Sequence, residues 1–385
     1  MVAPLLHRLQ QIAFELEGTE GTAETVGAGD ADVLVQDVTF EANIEKVKRD
    51  PARRYLTPLQ NVLGKQYARV SFDVEVKGSG AVATAPSWGK LLKACKMQQS
   101  EVKTIAIGAI SGGPFVPGDV VTGGTSSATG LVVDRFADGV AALALVVLSG
   151  TFQSGEVLTG SLSAATATTS GTAQASKGYC YRPVSTGDPS ATIAFFHDGK
   201  RKQMYGARGK VSGSLANGGL GMFKFEFEGI YDADTDVAML DPTYESQVPV
   251  TFLDCSLFLD AFQPDFTTLD WDLGNEIQML ETAQSAKGAR AARIVERAPM
   301  VNIDPYATLV ADFDWLGKLK SSNTSYMRAA LGSAAGNKIV FAFPRLSYEA
   351  VKQANRGSFQ TLGVTLAAVA PSVHRGDDEV LISML

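Results

Sequence analysis

Cysteine and histidine are nearly missing from this chain: three of each stand among 385 residues. Cys95, Cys180 and Cys255 lie far apart and form no CxxC pair, so neither a disulfide framework nor a zinc ribbon is encoded. They read as small, buried apolar side chains. His7, His197 and His374 are equally scattered, and no HExxH occurs. No metal site and no cofactor are expected. Long apolar runs are missing too. The longest, Val140 to Leu148, is about half of the ~20 residues a helix needs to cross a bilayer, so no membrane span is expected. The opening MVAPLLHRLQQ lacks a basic segment leading into an apolar one, which argues against a signal peptide. The chain is expected to stay in the cytoplasm where it is made until it assembles.

An excess of positive charge is also lacking. Lys and Arg number 34 against 41 Asp and Glu, a net charge of −7. Such a chain has no overall field that attracts phosphate, which disfavours sequence-specific DNA binding. It remains compatible with an acidic surface that DNA slides past. Catalytic signatures are absent. GGPFVPGD and ANGGLG lack the Lys-Ser/Thr of a phosphate loop, and no G-x-S-x-G occurs. DADTD, from Asp232 to Asp236, opens like a calcium loop, but Val237 stands where Gly is needed and Thr243 where the bidentate Glu belongs. It reads as an acidic linker. His197-Asp198 reads as a turn at a strand end. No catalytic residue is assigned, and the chain is not expected to be an enzyme.

What is present is alternation. With 45% hydrophobic and 19% charged residues the composition is globular, and the length suggests two or three domains. In Arg69 to Val76, Val70, Phe72, Val74 and Val76 face one way, against Ser71, Asp73 and Glu75. In Met222 to Ile230, Phe223, Phe225 and Phe227 oppose Lys224, Glu226 and Glu228. Strands are also expected at Asp32 to Ile44, Thr192 to Phe196 and Lys200 to Ser214. Trp88, Leu91, Leu92 and Cys95 fall at helical spacing and predict a short helix over Pro86 to Cys95. The fold class expected is mainly β with short helices.

The expected organisation has four parts. Residues 1–29 form an N-terminal arm, one short apolar helix or strand followed by the loop GTEGTAETVGAGD, which is too poor in apolar residues to anchor a core. Residues 30–103 and 176–245 form a discontinuous first domain, interrupted at 104–175 by a small all-β insertion. Residues 246–385 form a second domain. The insertion is rich in Gly, Ser, Thr, Ala and Val, and carries a repeat: GPFVPGDVVTGGTSSAT from Gly113 and GTFQSGEVLTGSLSAAT from Gly150. It is expected to sit as a separate module on the outside of an assembly. The second half echoes the first in order. Leu269 to Ile277 echoes Val33 to Ile44, and Arg290 to Arg297 echoes Arg69 to Val76. Trp315 with Gly317-Lys318-Leu319 echoes Trp88 to Leu91. Asn337 to Tyr348 echoes Lys200 to Ser212, and Gly357 to Val369 echoes Gly221 to Ile230. Five matches in one order point to tandem copies of one fold.

Two charged sets stand out. Lys46, Lys48, Arg49, Arg53, Arg54 and Lys65 lie in KVKRDPARRYLTPLQNVLGKQ, which reads as one long loop. Aromatic residues are sparse there, so it is a poor nucleic-acid platform. It is a candidate inter-subunit arm that pairs with acidic patches on neighbouring subunits. Asp73, Glu75, Glu226 and Glu228 must face away from the core; in a closed ring whose sheets line a channel they are candidate lumen-facing acids, with the outside or a ring interface as the other candidate surfaces.

The segments FELEGTEGTAE, ADVLVQDVTFEANIEKVKRDPARRYLTP, VSFDVEVKGSG and TAPSWGKLLKAC resemble the tail tube, or major tail, proteins of long non-contractile-tailed phages. The resemblance covers residues 12–97 and 179–232, and more faintly 265–385. The insertion lies outside it and looks like small β modules of virion surface proteins. The resemblance implies a β-sandwich or barrel-like core with a flanking helix. It implies subunits joined into rings, and rings stacked into a hollow tube in the virion tail, assembled in the host cytoplasm. Implied partners are further copies of the chain, a tape measure protein, and tail terminator and tip proteins, with genome DNA passing through unbound. Six single-domain subunits make a ring in that family. Three two-domain chains would then close a pseudo-sixfold ring, with a true hexamer as the alternative. A carbohydrate- or receptor-binding surface protein is the competing class, suggested by the insertion's repeats. That reading needs exposed aromatics, and the insertion offers only Phe115, Phe136 and Phe152. A secreted hydrolase would need a convergent acid–base site, and the sequence offers none.

Overall fold

The computed structural model describes residues 4–134, 142–172, 176–371 and 375–385. The elements run β1 (Gln10–Leu16), β2 (Val35–Val47), β3 (Val62–Glu75), α1 (Gly89–Ala94), β4 (Met97–Ala106), β5 (Val120–Gly123), β6 (Thr129–Asp134), β7 (Ala142–Ser149), β8 (Val157–Gly160) and β9 (Thr166–Thr168). They continue β10 (Ser176–Pro183), β11 (Ala191–His197), β12 (Lys200–Ala216), β13 (Met222–Asp236), β14 (Ser256–Leu259), β15 (Thr268–Asp272), β16 (Asn275–Glu281) and β17 (Ala289–Arg297). The last are β18 (Met300–Ile303), α2 (Trp315–Lys320), β19 (Thr324–Leu331), β20 (Ile339–Arg356), β21 (Phe359–Ala368) and β22 (Leu381–Met384). The chain is mainly β. All strands but β16 and β17 belong to one antiparallel hydrogen-bonded network, and those two form their own hairpin.

Alternation places the core. Val70, Phe72 and Val74 of β3 stand in register with Phe227, Phe225 and Phe223 of β13, and all six are buried. The Phe72 and Phe225 rings lie 5.8 Å apart, and such aromatic pairs add roughly 0.5–1.5 kcal/mol beyond their buried area. Trp88 caps this layer from the start of α1. Its Nε1 donates to Lys77 O at 2.7 Å, and its ring meets Phe223 edge-on. Only glycine fits next in sequence, since a Cβ on Gly89 would stand 2.0 Å from the Tyr181 hydroxyl oxygen.

Two six-strand sets share one order. The first is β2-β3-β13-β12-β11-β1. The second is β15-β18-β21-β20-β19-β14. α1 follows β3 and α2 follows β18, at matching places. The strand beside β21 is β18. Arg290 to Arg297, which the sequence aligns with Arg69 to Val76, lies instead in the β16–β17 hairpin. The sets join edge to edge, with Ser212–Ala216 of β12 paired to Thr268–Asp272 of β15. One apolar core runs through both, and Trp271 of β15 packs between Phe223 and Phe341 at 5.8 and 6.0 Å. The β16–β17 hairpin lies over the first set. The buried Arg208 of β12 donates to Asp188 at 2.5 Å, to Glu20 at 2.8 Å and to Ala292 O.

Three segments differ from the sequence reading. Within the expected arm, residues 10–16 are an edge strand paired to β11, with Ile12, Ala13 and Phe14 buried in the body of the fold. The loop after it is held by one buried carboxylate: Glu17 accepts from Ser190 Oγ at 2.5 Å, Thr192 Oγ1 at 3.0 Å and the Gly206 amide at 2.6 Å. DADTD is the end of β13 rather than a linker, because Lys200 pairs with Asp234 across the strands at 2.5 Å. The stretch 46–66 is mostly strand at its ends, leaving only 48–61 as loop.

The insertion leaves and rejoins the sheet through β4 and β10, where Lys103 and Ser176 are register partners. It has its own core around Phe115, Val121, Phe152 and Leu158. It is also fastened to the second set. Leu131, Val133, Ala144 and Val146 pack on Val340, Ala342 and Leu381, and buried Asp134 accepts from Arg328 and Lys338. Among the described residues no helix is long and apolar enough to cross a membrane.

Candidate functional site

Strand edges are the first candidate surface. An unpaired edge is a row of free amide and carbonyl groups that templates pairing with another chain. β2 pairs with β3 on one side and with no described strand on the other. β20 pairs with β19 up to Ser347, and beyond that, among the described strands, with β21 alone. The matching stretch of β12 carries β15 on that free side.

The basic residues divide between strand and loop. Lys46 lies in β2 next to its last residue, while Lys48, Arg49, Arg53 and Arg54 lie on the exposed loop 48–61. Lys48 meets its own Asp50 at 3.1 Å. Lys65, on β3, is already engaged within the chain. Its Nζ donates to Glu281 at 2.6 Å, beside the Tyr67 hydroxyl at 2.9 Å. Those two donors hold the Glu281 carboxyl below its ordinary range, and burial with the Glu281 bond pushes Tyr67 up to about 12. Sequence reasoning missed the apolar neighbours. Ile44, Val47, Tyr55, Leu56, Val62 and Leu63 are all exposed on the same hairpin. An uncovered apolar patch of this kind marks an interaction surface.

The four acids lie on the face of β3 and β13 turned away from the phenylalanine layer. They do not stand bare. Glu226 accepts from Arg69 and from Lys210, the latter at 3.0 Å, with Lys224 at 3.8 Å. Partial burial works to raise its pKa, and the bonds to Lys210 and Arg69 outweigh it, leaving the carboxyl below its ordinary range. Asp73, in register with Lys224, is raised by burial, with Lys224 opposing and Asp37 adding. Glu75 accepts from Gln36 at 3.2 Å, and Glu228 stands opposite Arg69. The face is a mixed-charge lattice.

The insertion's repeat has a structural cause. β5 and β8 pair antiparallel, bringing the two repeat copies face to face. Asp119 of the first copy accepts from the Leu162 and Ser163 amides of the second at 2.7 and 3.0 Å. Glu156 of the second accepts from the Ser126 amide of the first at 2.9 Å, and from its own Gln153 amide at 2.7 Å. Burial works to raise the Glu156 pKa, and the amide and hydroxyl donors outweigh it, so the carboxyl is held low. Its stabilisation is therefore present above the ordinary glutamate range and lost as pH falls through the lowered folded value. Glu156→Ala is expected to destabilise the module by about 1–3 kcal/mol, by leaving buried amides without an acceptor. Thermal melts at neutral pH check this, and an unchanged midpoint would remove the capping role. Phe115 and Phe152 are fully buried in this module and offer no stacking platform, while Phe136 lies outside the described residues.

No protein-family model matches this chain, and no curated protein matches it. Among the described residues no cluster of three or more His, Cys, Asp or Glu is placed to hold a metal ion.

Proposed function

We propose that this chain is a structural subunit that closes into rings, and that the rings stack into the hollow tube of a phage tail, through which DNA passes. One observation carries the reading. The chain already joins two like-ordered strand sets edge to edge, and leaves open on its two ends the edges that correspond to that joint. A head-to-tail contact between such edges is heterologous, and repeating it generates a closed ring or a filament. With two sets per chain, three chains supply the six units that the resemblance implies. Mixed charge on the outer face of β3 and β13 suits a surface that neither grips nor releases counterions from DNA. The remaining implied partners are the tape measure, terminator and tip proteins.

Negative-stain microscopy of the purified protein at high concentration tests this. Rings or tubes with threefold symmetry are expected. Six chains per ring would favour the hexamer, and a protein that stays monomeric at every concentration would end the proposal.

A further inference from the structure

We propose that the groove beside the free half of β20 is filled by β2 of a second copy, as β15 fills the corresponding place on the first strand set. The inference rests on the ring reading above and names its contact surface.

The filled place shows what the empty one lacks. On the first set, Ser212–Ala216 of β12 pairs with β15, and Trp271 of that strand lies directly over Gly213. A Cβ on Gly213 would stand 2.2 Å from Trp271 Nε1. Leu269 and Leu273 are buried alongside, and the Leu273 amide donates to Val211 O at 3.1 Å. On the second set the equivalent strand is the end of β20, running into its turn at Gly357. Its open side borders a groove of about 380 Å³, walled by Phe313, Trp315, Leu316, Val351, Gln353 and Leu362. Trp315 stands at the start of α2 as Trp88 stands at the start of α1. Leu316 is 51% exposed and Val310, also on this groove, 73%. These are core-type side chains without a covering strand.

The strand order identifies the occupant. β15 is the outermost strand of the second set and β2 the outermost strand of the first. The edge that β15 presents to β12 is the edge β2 leaves open. Within one chain β2 is the first set's far edge, so the strand that reaches this groove comes from another copy. β2 and the residue before it bring suitable side chains: Leu34, just ahead of the strand, is exposed, and Val35 and Val38 are half-buried. Its continuation is the hairpin with exposed Ile44, Val47, Val62 and Leu63, just as β15 continues into the β16–β17 hairpin that lies over the first set. The same contact would therefore cover that patch.

Two measurements test the contact. Leu316→Glu changes a solvent-exposed position, so the melting temperature should be unchanged while self-association weakens at least tenfold by sedimentation. The paired variants Gln36→Cys with Gln353→Cys, and Gln36→Cys with Asn355→Cys, should give on oxidation a covalent ladder that ends at the closed ring, with each single variant as control. Wild-type rings that persist unchanged in Leu316→Glu overturn this contact and leave the ring reading standing. A wild type that never self-associates overturns the ring reading itself.

Discussion

Replacing Asp134 by alanine is expected to destabilise the fold by about 3–5 kcal/mol, the range for removing one member of a buried ion pair. Asp134 is fully buried at the end of β6. It accepts from Arg328 Nε at 2.9 Å and Nη2 at 3.0 Å, and from Lys338 Nζ at 3.0 Å. Burial alone would raise its pKa, but the two cations outweigh it and the carboxyl sits below its ordinary value of 3.8. A depressed folded pKa contributes stability that is complete above that ordinary value and lost as pH falls through the folded one. The wild type should therefore keep this contribution at pH 5 and shed it only in strong acid. The alanine variant should show none of that acid dependence. Urea denaturation at neutral and acid pH measures both. A loss under ~1 kcal/mol, ordinary for a surface pair, would show that the carboxylate does not fasten the insertion to the second strand set.

Trp271→Ala is the other large effect, expected at about 3–5 kcal/mol for a buried tryptophan cut to a methyl group. The ring fills the joint between the two sets, against Phe223 and Phe341. Its buried Nε1–H has no hydrogen-bond partner among the described residues. Trp271→Phe should therefore cost much less than alanine, because it removes a donor that gains nothing on folding while keeping an aromatic ring in place. Far-UV circular dichroism in urea compares the two. Equal losses in both variants would mean that a phenyl ring cannot fill the joint in place of the indole.

The elements most legible in the sequence were those whose side chains carry the period. β3 and β13 alternate valine and phenylalanine against polar residues, and α1 spaces Trp88, Leu91, Leu92 and Cys95 at helical intervals. The ends of β2, β3 and β13 were read as loop or linker because edge pairing uses backbone groups that every residue has. At Asp232–Asp236 the composition even opposes a strand, and Lys200 across the ladder reverses the balance. The charged sites were legible as residues but not as partners. Lys224 was visible beside Glu226 in sequence, yet Arg69 and Lys210 reach it only through cross-strand register. Arg328 lies so far along the chain from Asp134 that no local pattern announces the pair. The insertion's repeat was legible, but its exchange of acids between copies needs the antiparallel pairing of β5 with β8.

Lys103 and Ser176 are neighbours across one ladder, so everything between them is a detour that begins and ends at the same spot. A lineage, or an engineer, can exchange such a detour cheaply, since each doubling of a loop's length costs only about 0.6 kcal/mol in closure entropy. The graft is conditional all the same. Whatever is spliced in must present a flat apolar face to Val340, Ala342 and Leu381, and one inward acid where Asp134 now meets Arg328 and Lys338. A display module built to that specification would sit against the second strand set as part of the fold, and a bare glycine linker would not.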